Sequence, residues 1–221
     1  MSGARLPGSV FHVKHEGWAT AASEMGVELA PGAESRLDRY ERFLVERASR
    51  EGMVAAGDAP RIRDRHILDC LRAAPLILSH DRRAYDLGSG AGLPGVVIAI
   101  ACPELHVVLV EGRRHRSDFL REVVGELELA NATVHAGKAG ALTDRVADRA
   151  DVCLSRAFAP AKRGWAVAER LLVPEGRLVY WAGRRADLSA ELPRDASWEV
   201  VEPPSDTGSG PLAVIRRKVV A

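Results

Sequence analysis

Residues Tyr85–Gly95 read YDLGSGAGLPG and place four glycines and one proline in eleven positions. A strand-like run, RAYDL, precedes the cluster, and the apolar run VVIAIAC follows it. The cluster therefore reads as a turn from a first strand into a helix that begins near Leu93. In an open α/β sheet, ligands sit outside the carboxyl ends of the strands, and glycines there let the backbone come close without Cβ atoms in the way. The spacing is D-x-G-x-G-x-G, from Asp86 through Gly88, Gly90 and Gly92. A dinucleotide site uses G-x-G-x-x-G with a pyrophosphate on the helix N-terminus, so the spacing found here favours a nucleoside without a pyrophosphate. Asp86 is expected beside an amino-acid part of that ligand. Glu111 ends the next apolar run, HVVLVE, where its two oxygens can accept both ribose hydroxyls. A bare tight turn without a ligand is the alternative, and Glu111 at the second strand end argues against it.

Outward from the turn, residues 81–221 alternate short β-rich runs with helical segments: RAYDLG, GVVIAIAC, HVVLVE, HRSDFLREVVGELEL, ATVHAG, DVCLSRA, KRGWAVAERLLV and GRLVYWAG. Such alternation implies βαβ units, hence an α/β fold with a mostly parallel sheet covered by helices on both faces. The last two runs, SWEVVEP and LAVIRRKVV, are joined by the turn-rich PSDTGSG and read as an antiparallel pair closing the sheet. Residues 1–80 form an N-terminal extension and helical cap. Leu37, Tyr40, Phe43 and Leu44 recur at helical spacing over Ala33 to about Arg50, and a second helix is expected over Ile62–Leu78, interrupted at Pro75.

A chain of 221 residues with 47% hydrophobic and 28% charged residues can bury a sizeable core. Its formal net charge of +1 gives no global pull toward nucleic acid, so a polyanionic partner must be held by local cations. Cys70, Cys102 and Cys153 are far apart and each lies in an apolar run, which predicts reduced core thiols and no metal site. No apolar stretch is long enough to span a bilayer, and the first residues lack the apolar core of a signal peptide. The expectation is a cytoplasmic protein without a membrane partner.

Acid, glycine turn and second acid together resemble the S-adenosylmethionine signature of class I methyltransferases, whose fold is Rossmann-like. The likeness is sharper still to the bacterial 16S ribosomal RNA guanine-N7 methyltransferases, the glucose-inhibited division protein B family. It rests on DLGSGAGLPGVVIAIACPELHVVLVEGRRHRSDFLREVVGELEL, on FHVKH near the start, on RDRHILDCL before the first strand and on LSRAFAP at the fourth. The resemblance implies methylation of a guanine N7 in 16S rRNA, on the RNA or the small ribosomal subunit and not on DNA, by a protein expected to be a monomer. S-adenosylmethionine is the implied cofactor and S-adenosylhomocysteine its product. The implied pocket uses Asp86, Gly88, Ser89, Gly90, Gly92 and Leu93 in and before the loop, Glu111 and Gly112 at the ribose, and Lys138, Ala139 and Gly140 beside the adenine. Arg156 faces the reaction centre, and Arg65 and His66 lie over the pocket mouth.

Guanine N7 has a lone pair and no proton, so its methylation needs positioning and desolvation but no general base. Arg156 is expected to fix the cofactor carboxylate or a phosphate through paired hydrogen bonds, with a structural ion pair as the alternative. His66 stands three residues before Asp69, where the two can pair on a helix. Its expected role is RNA contact or pocket closure, with catalysis the lesser alternative. Arg61, Arg63 and Arg65, then Arg113, Arg114 and Arg116, then Lys162 and Arg163, then Arg184 and Arg185 are four basic clusters that can hold phosphates if they converge on the pocket. Three places depart from the family pattern. Lys138, Ala139 and Gly140 stand where many members carry an Arg-Ala-Glu-like run, Ala182 stands where many carry a lysine, and no Asn-Leu-Thr run precedes RHILD. These departures keep open a divergent methyltransferase acting on another RNA site or a small molecule, and a catalytically inactive cofactor- or RNA-binding module.

Overall fold

The computed structural model describes residues 17–142, 148–203 and 209–218. FHVKH and most of the PSDTGSG turn lie outside them. The cap opens with α1 (Trp18–Glu24) and α2 (Ala33–Phe43), the latter continued by a π-helical turn over Leu44–Ala48. The expected helix over Ile62–Leu78 is instead broken into three. A π-helical turn (Ile62–Ile67) leads into α3 (Leu68–Leu71), and a 3₁₀ turn (Ala74–Leu76) follows. Pro75 explains the last break, since it has no N–H to donate and biases the preceding residue away from helix.

Seven strands then build one sheet: β1 (Arg83–Leu87), β2 (His106–Glu111), β3 (Ala132–Ala136), β4 (Ala150–Ser155), β5 (Leu172–Trp181), β6 (Ala196–Val201) and β7 (Leu212–Arg217). Their order is β3-β2-β1-β4-β5-β7-β6. The first five are mutually parallel, and β7 runs antiparallel to both β5 and β6. The connecting helices are α4 (Gly95–Ala101), α5 (Arg114–Glu126), α6 (Ala139–Leu142), α7 (Ala161–Leu171) and α8 (Leu188–Glu191). β1 lies between β2 and β4, so the chain reverses its direction of travel across the sheet at β1. This is the switch point where α/β sheets bind ligands.

Strand alternation divides the core into two faces. Ala84, Val107, Leu109, Val152, Leu154 and Val179 join Leu37, Tyr40, Leu44, Ile62 and Ile67 of the cap with Val96, Ile98 and Phe119 in one cluster. Tyr85, Leu87, Val110, Cys153, Leu178 and Tyr180 pack with Trp165, Ala168 and Leu171 on the opposite face. All three cysteines are free, Cys70 and Cys153 buried and Cys102 half-buried. On the cap face, Arg177 is buried and paired with Asp81, and it also donates to the Leu76 carbonyl from Nε at 3.1 Å. Among the described residues, no helix is long and apolar enough to cross a membrane.

Candidate active site at the ends of three central strands

The glycine turn, Glu111 and Arg156 follow β1, end β2 and follow β4, three adjacent strands. The turn itself hangs from β2: the N–H groups of Gly88 and Ser89 both donate to the Val110 carbonyl, at 2.9 and 3.0 Å. Gly88 and Gly90 have φ of +73° and +59°, a region where L-residues are strained. Their surroundings differ. A Cβ on Gly88 would come within 2.6 Å of the Phe158 ring, whereas one on Gly90 would meet nothing nearer than 3.8 Å. Gly88 is thus held to glycine by packing as well as by φ, whereas Gly90 is held by φ alone, a Cβ there making only ordinary contact with the Gly88 carbonyl and Arg116 Nη1. Gly92 is likewise a packing glycine, since a Cβ there would reach Val96 at 2.6 Å and the Tyr40 hydroxyl at 2.9 Å. The helix expected to start near Leu93 starts at Gly95, whose N–H, one of the first-turn donors with no partner inside the helix, donates to Asp86 Oδ2 at 3.1 Å.

Asp86 shares strand parity with Ala84, so its side chain turns to the cap face, under the start of α4, and lines neither cavity at the turn. It is 1% exposed, and its Oδ1 is buried without a partner. Burial pushes its carboxyl up to about 7, against the lowering effect of the Ser89 and Gly95 hydrogen bonds. A carboxyl that ionises near 3.9 in the unfolded chain thus binds its proton more tightly in the fold. Its contribution to stability is full below about pH 4 and is lost as pH rises through 7. Between pH 5.5 and 8 the protein is expected to lose on the order of 2 kcal/mol from this group. Asp86→Asn should flatten that part of the profile, and an unchanged slope in denaturant titrations would refute the assignment.

Glu111 is 6% exposed and already serves the loop: Oε2 accepts from the Gly90 N–H at 3.0 Å and Oε1 from the Arg113 N–H at 2.8 Å. Each oxygen keeps a second lone pair for a ligand. It borders a cavity of about 560 Å³ with Gly88, Gly112, Lys138, Ala139, Gly140 and Phe158. A second cavity, of about 240 Å³, is bordered by Gly88, Ser89, Gly90, Leu93, His66 and Arg156, with Met53, Val54 and Ala55 of the cap. Gly88, Arg116 and Ala157 border both cavities.

Arg156 does not present a free guanidinium. Nη1 donates to Cys70 Sγ at 3.1 Å and to the His66 carbonyl at 3.4 Å; Nη2 donates to His66 Nδ1 at 2.8 Å and to the Arg65 carbonyl at 3.4 Å. Its Nε faces Asp69 Oδ2 at 3.7 Å. The expected pairing of His66 with Asp69 is replaced: His66 Nε2 meets Asp58 Oδ2 at 3.2 Å, and Asp69 accepts from Arg72 at 2.9 Å. Winding over Ile62–Ile67 is π-helical, so the angle between positions 66 and 69 is not that of an α-helix. Burial, then the Arg156 charge, lowers the His66 pKa, which keeps Nδ1 an acceptor and Nε2 the donor.

The basic clusters do not converge as whole groups. Arg61 and Arg65 pair with Asp58, while Arg63 pairs with Asp38 and Glu41 and stacks on Trp18 at 3.9 Å. Arg114 approaches Asp118 at 3.8 Å. Lys162, Arg184 and Arg185 are exposed and border neither cavity, while Arg113, Arg116 and Arg163 line the larger one. Ala182, where the family pattern has a lysine, is 6% exposed and donates its N–H to the Pro211 carbonyl. Two site residues escape sequence reading. Tyr40, on the apolar stripe of α2, is fully buried, and its hydroxyl donates to the Ala91 carbonyl at 2.9 Å, tying cap to turn. Phe158 covers Gly88. The sequence signal for Tyr40 is a phenol among aliphatic core positions, since a buried hydroxyl requires a partner.

A family model described as GidB, rRNA small subunit methyltransferase G, matches residues 33–201. The chain belongs to this family. Relatives named ribosomal RNA small subunit methyltransferase G include one from Acidothermus cellulolyticus, 41% identical over 66% of the chain and 64% of the relative, just under two thirds of its length. Another, from Nocardioides sp., is 39% identical over 83% of the chain and 76% of the relative. A methyltransferase structure from Geobacter sulfurreducens superposes with a TM-score of 0.57 at 17% identity, covering 90% of this chain and 97% of its own. A mutant of MtNAS in complex with S-adenosylmethionine gives 0.55 at 20% identity, covering 90% of this chain and 76% of its own. Both share the fold. In this GidB-family chain, the match takes in the glycine turn, Glu111 and Arg156 together with the cap from α2 onward.

Proposed function

We propose that the protein transfers a methyl group from S-adenosylmethionine to N7 of a guanine in 16S ribosomal RNA. The observation that carries this reading is the joining, at three adjacent strand ends, of an open glycine turn, a loop-holding carboxylate and an arginine buttressed by the cap, in a chain of the GidB family. The residues present fit the cofactor. Glu111 has spare lone pairs suited to ribose hydroxyls, and Ala139, Ala157 and Phe158 offer apolar contact at the larger cavity, while Asp86, which borders neither cavity, braces the turn from beneath through the Gly95 N–H. When bound, S-adenosylmethionine supplies an electrophilic methyl group and leaves as S-adenosylhomocysteine.

The side chains are suited to positioning rather than proton transfer. His66 has both ring nitrogens engaged, one by Arg156 and one by Asp58, so no lone pair is left to act as a base. N7 methylation asks for none. Arg156 holds the 62–70 segment against β4 and thereby fixes one wall of the smaller cavity, where the acceptor base is to lie. We place the cap at residues up to 80, and we read the protein as a cytoplasmic monomer acting on the small ribosomal subunit.

Incubating purified small subunits with methyl-labelled cofactor and mapping 7-methylguanosine in 16S rRNA tests the reading. Label confined to small molecules, or absent, overturns it. The loop assignment has its own check. Gly90→Val should lower thermal stability through its positive φ, remain folded and lose S-adenosylhomocysteine binding, while Gly88→Val should be destabilised further by its added clash with Phe158. Equal cofactor affinity in a folded Gly90→Val variant would exclude the turn from the site.

A further inference from the structure

Four cations approach the larger cavity from three different elements: Arg113 and Arg116 at the start of α5, Lys138 between β3 and α6, and Arg163 in α7. Among the described residues, none of the four makes an ion pair with a carboxylate, whereas Arg61, Arg63, Arg65 and Arg114 all do. The acid in their midst, Glu111, directs its oxygens to backbone N–H groups. Arg116 stands apart even within this set. It borders both cavities, its Nη1 lies near the open side of Gly90, and its Nε is buried without a partner. It also belongs to the first turn of a 13-residue helix that carries no acid there. Cations at that end oppose the helix dipole, an arrangement that an incoming anion reverses.

We propose that Arg116 is the positioning residue that grips a backbone phosphate of the RNA strand at the waist between the two cavities, with Arg113, Lys138 and Arg163 holding neighbouring phosphates. This inference rests on the RNA-methylating reading above and names the contact that orients the strand. A guanidinium with no carboxylate partner and with Nη1 beside Gly90, at a residue that borders both cavities, pairs well with a phosphate oxygen through its Nη groups. Several unpaired cations on one rim suit a polyanion better than a single carboxylate. The rival anion is the carboxylate of the cofactor's methionine part.

The test uses the full chain with Arg116→Ala and Arg116→Lys, purified small subunits, S-adenosylhomocysteine and 5′-methylthioadenosine, which lacks the amino-acid part. RNA binding is measured without cofactor across a salt series. Arg116→Ala is expected to weaken subunit binding on the order of tenfold and to lower the slope of log affinity against log salt by about 0.7–0.9, the loss of one phosphate contact. Affinity for S-adenosylhomocysteine should stay within about twofold. Arg116→Lys should restore the salt slope but not the turnover, because an ammonium lacks the planar fork, and its behaviour keeps the test valid if the alanine variant folds poorly. A salt slope unchanged in a folded Arg116→Ala variant overturns the proposal, as does parent-like turnover in Arg116→Lys. So does a loss of S-adenosylhomocysteine affinity with 5′-methylthioadenosine unaffected, which assigns the guanidinium to the cofactor carboxylate. Failure of the parent protein to bind either nucleoside sinks the cofactor reading instead and leaves the salt-slope result standing.

Discussion

Replacing Glu111 with alanine is expected to weaken S-adenosylhomocysteine binding on the order of 100-fold or more. Two losses combine. The ribose loses a charged acceptor, worth on the order of 2–4 kcal/mol for a pair of such bonds. The loop also loses its hold, because the Gly90 and Arg113 N–H groups both donate to this carboxylate. Glu111→Gln separates the two. Its amide keeps one acceptor but turns a donor toward an N–H, so it should fall between parent and alanine variant. Calorimetry on both variants reads the effect directly, and a change under about threefold for alanine would remove Glu111 from the site.

Arg156→Ala should be the most damaging single change to the fold around the site. The guanidinium meets a thiol, a ring nitrogen, two carbonyls and a carboxylate of the cap, and its side chain is only 18% exposed. Its removal leaves Asp69 with Arg72 as its remaining ionic partner and frees the Nδ1 lone pair of His66. Breaking such a buried network costs on the order of 2–4 kcal/mol, or roughly 5–15 °C in melting temperature for a domain of this size. Turnover should fall further than the stability loss explains, since the wall that orients the acceptor base moves. Arg156→Lys should rescue neither, because one ammonium cannot meet five groups spread around a planar fork. A melting temperature within about 2 °C of the parent for the alanine variant would mean that the cap is held by other contacts.

The central strands were legible because each is a compact β-rich run bounded by turn residues, and Glu111 was legible because it ends one of them. The partners of Arg156 were not. They lie 86 to 91 positions upstream, and no local spacing links Cys70 or His66 to a residue after β4. Tyr40 and Ala91 are 51 positions apart, with the same result. Spacing also misled. Asp86 and Gly88 are two residues apart, yet Asp86 is still in β1 and faces the cap beneath the turn, whereas Gly88 has left the strand at positive φ and borders both cavities. Arg61, Arg63 and Arg65 look like one basic patch in the sequence, but the winding of the cap sends Arg63 to α2 and Trp18 while Arg61 and Arg65 share Asp58. Arg114 and Arg116, two residues apart on α5, point in different directions, one into solvent and one to the cavities.

The interleaving of cap and sheet in one hydrophobic cluster bears on how this enzyme can be dissected. Leu37, Tyr40, Leu44 and Ile67 are 0% exposed, and they are packed in the same cluster as Val96, Ile98 and Phe119 of the sheet's own helices. A fragment cut just before β1 would keep every strand and still lay that whole layer bare to water. The expected product is an aggregating polypeptide, not a smaller methyltransferase. For the same reason the segment cannot be exchanged for another protein's substrate-recognition module at residue 80. Any redesign of RNA preference has to be made by surface substitution around the cavities, with the buried side of the cap left untouched.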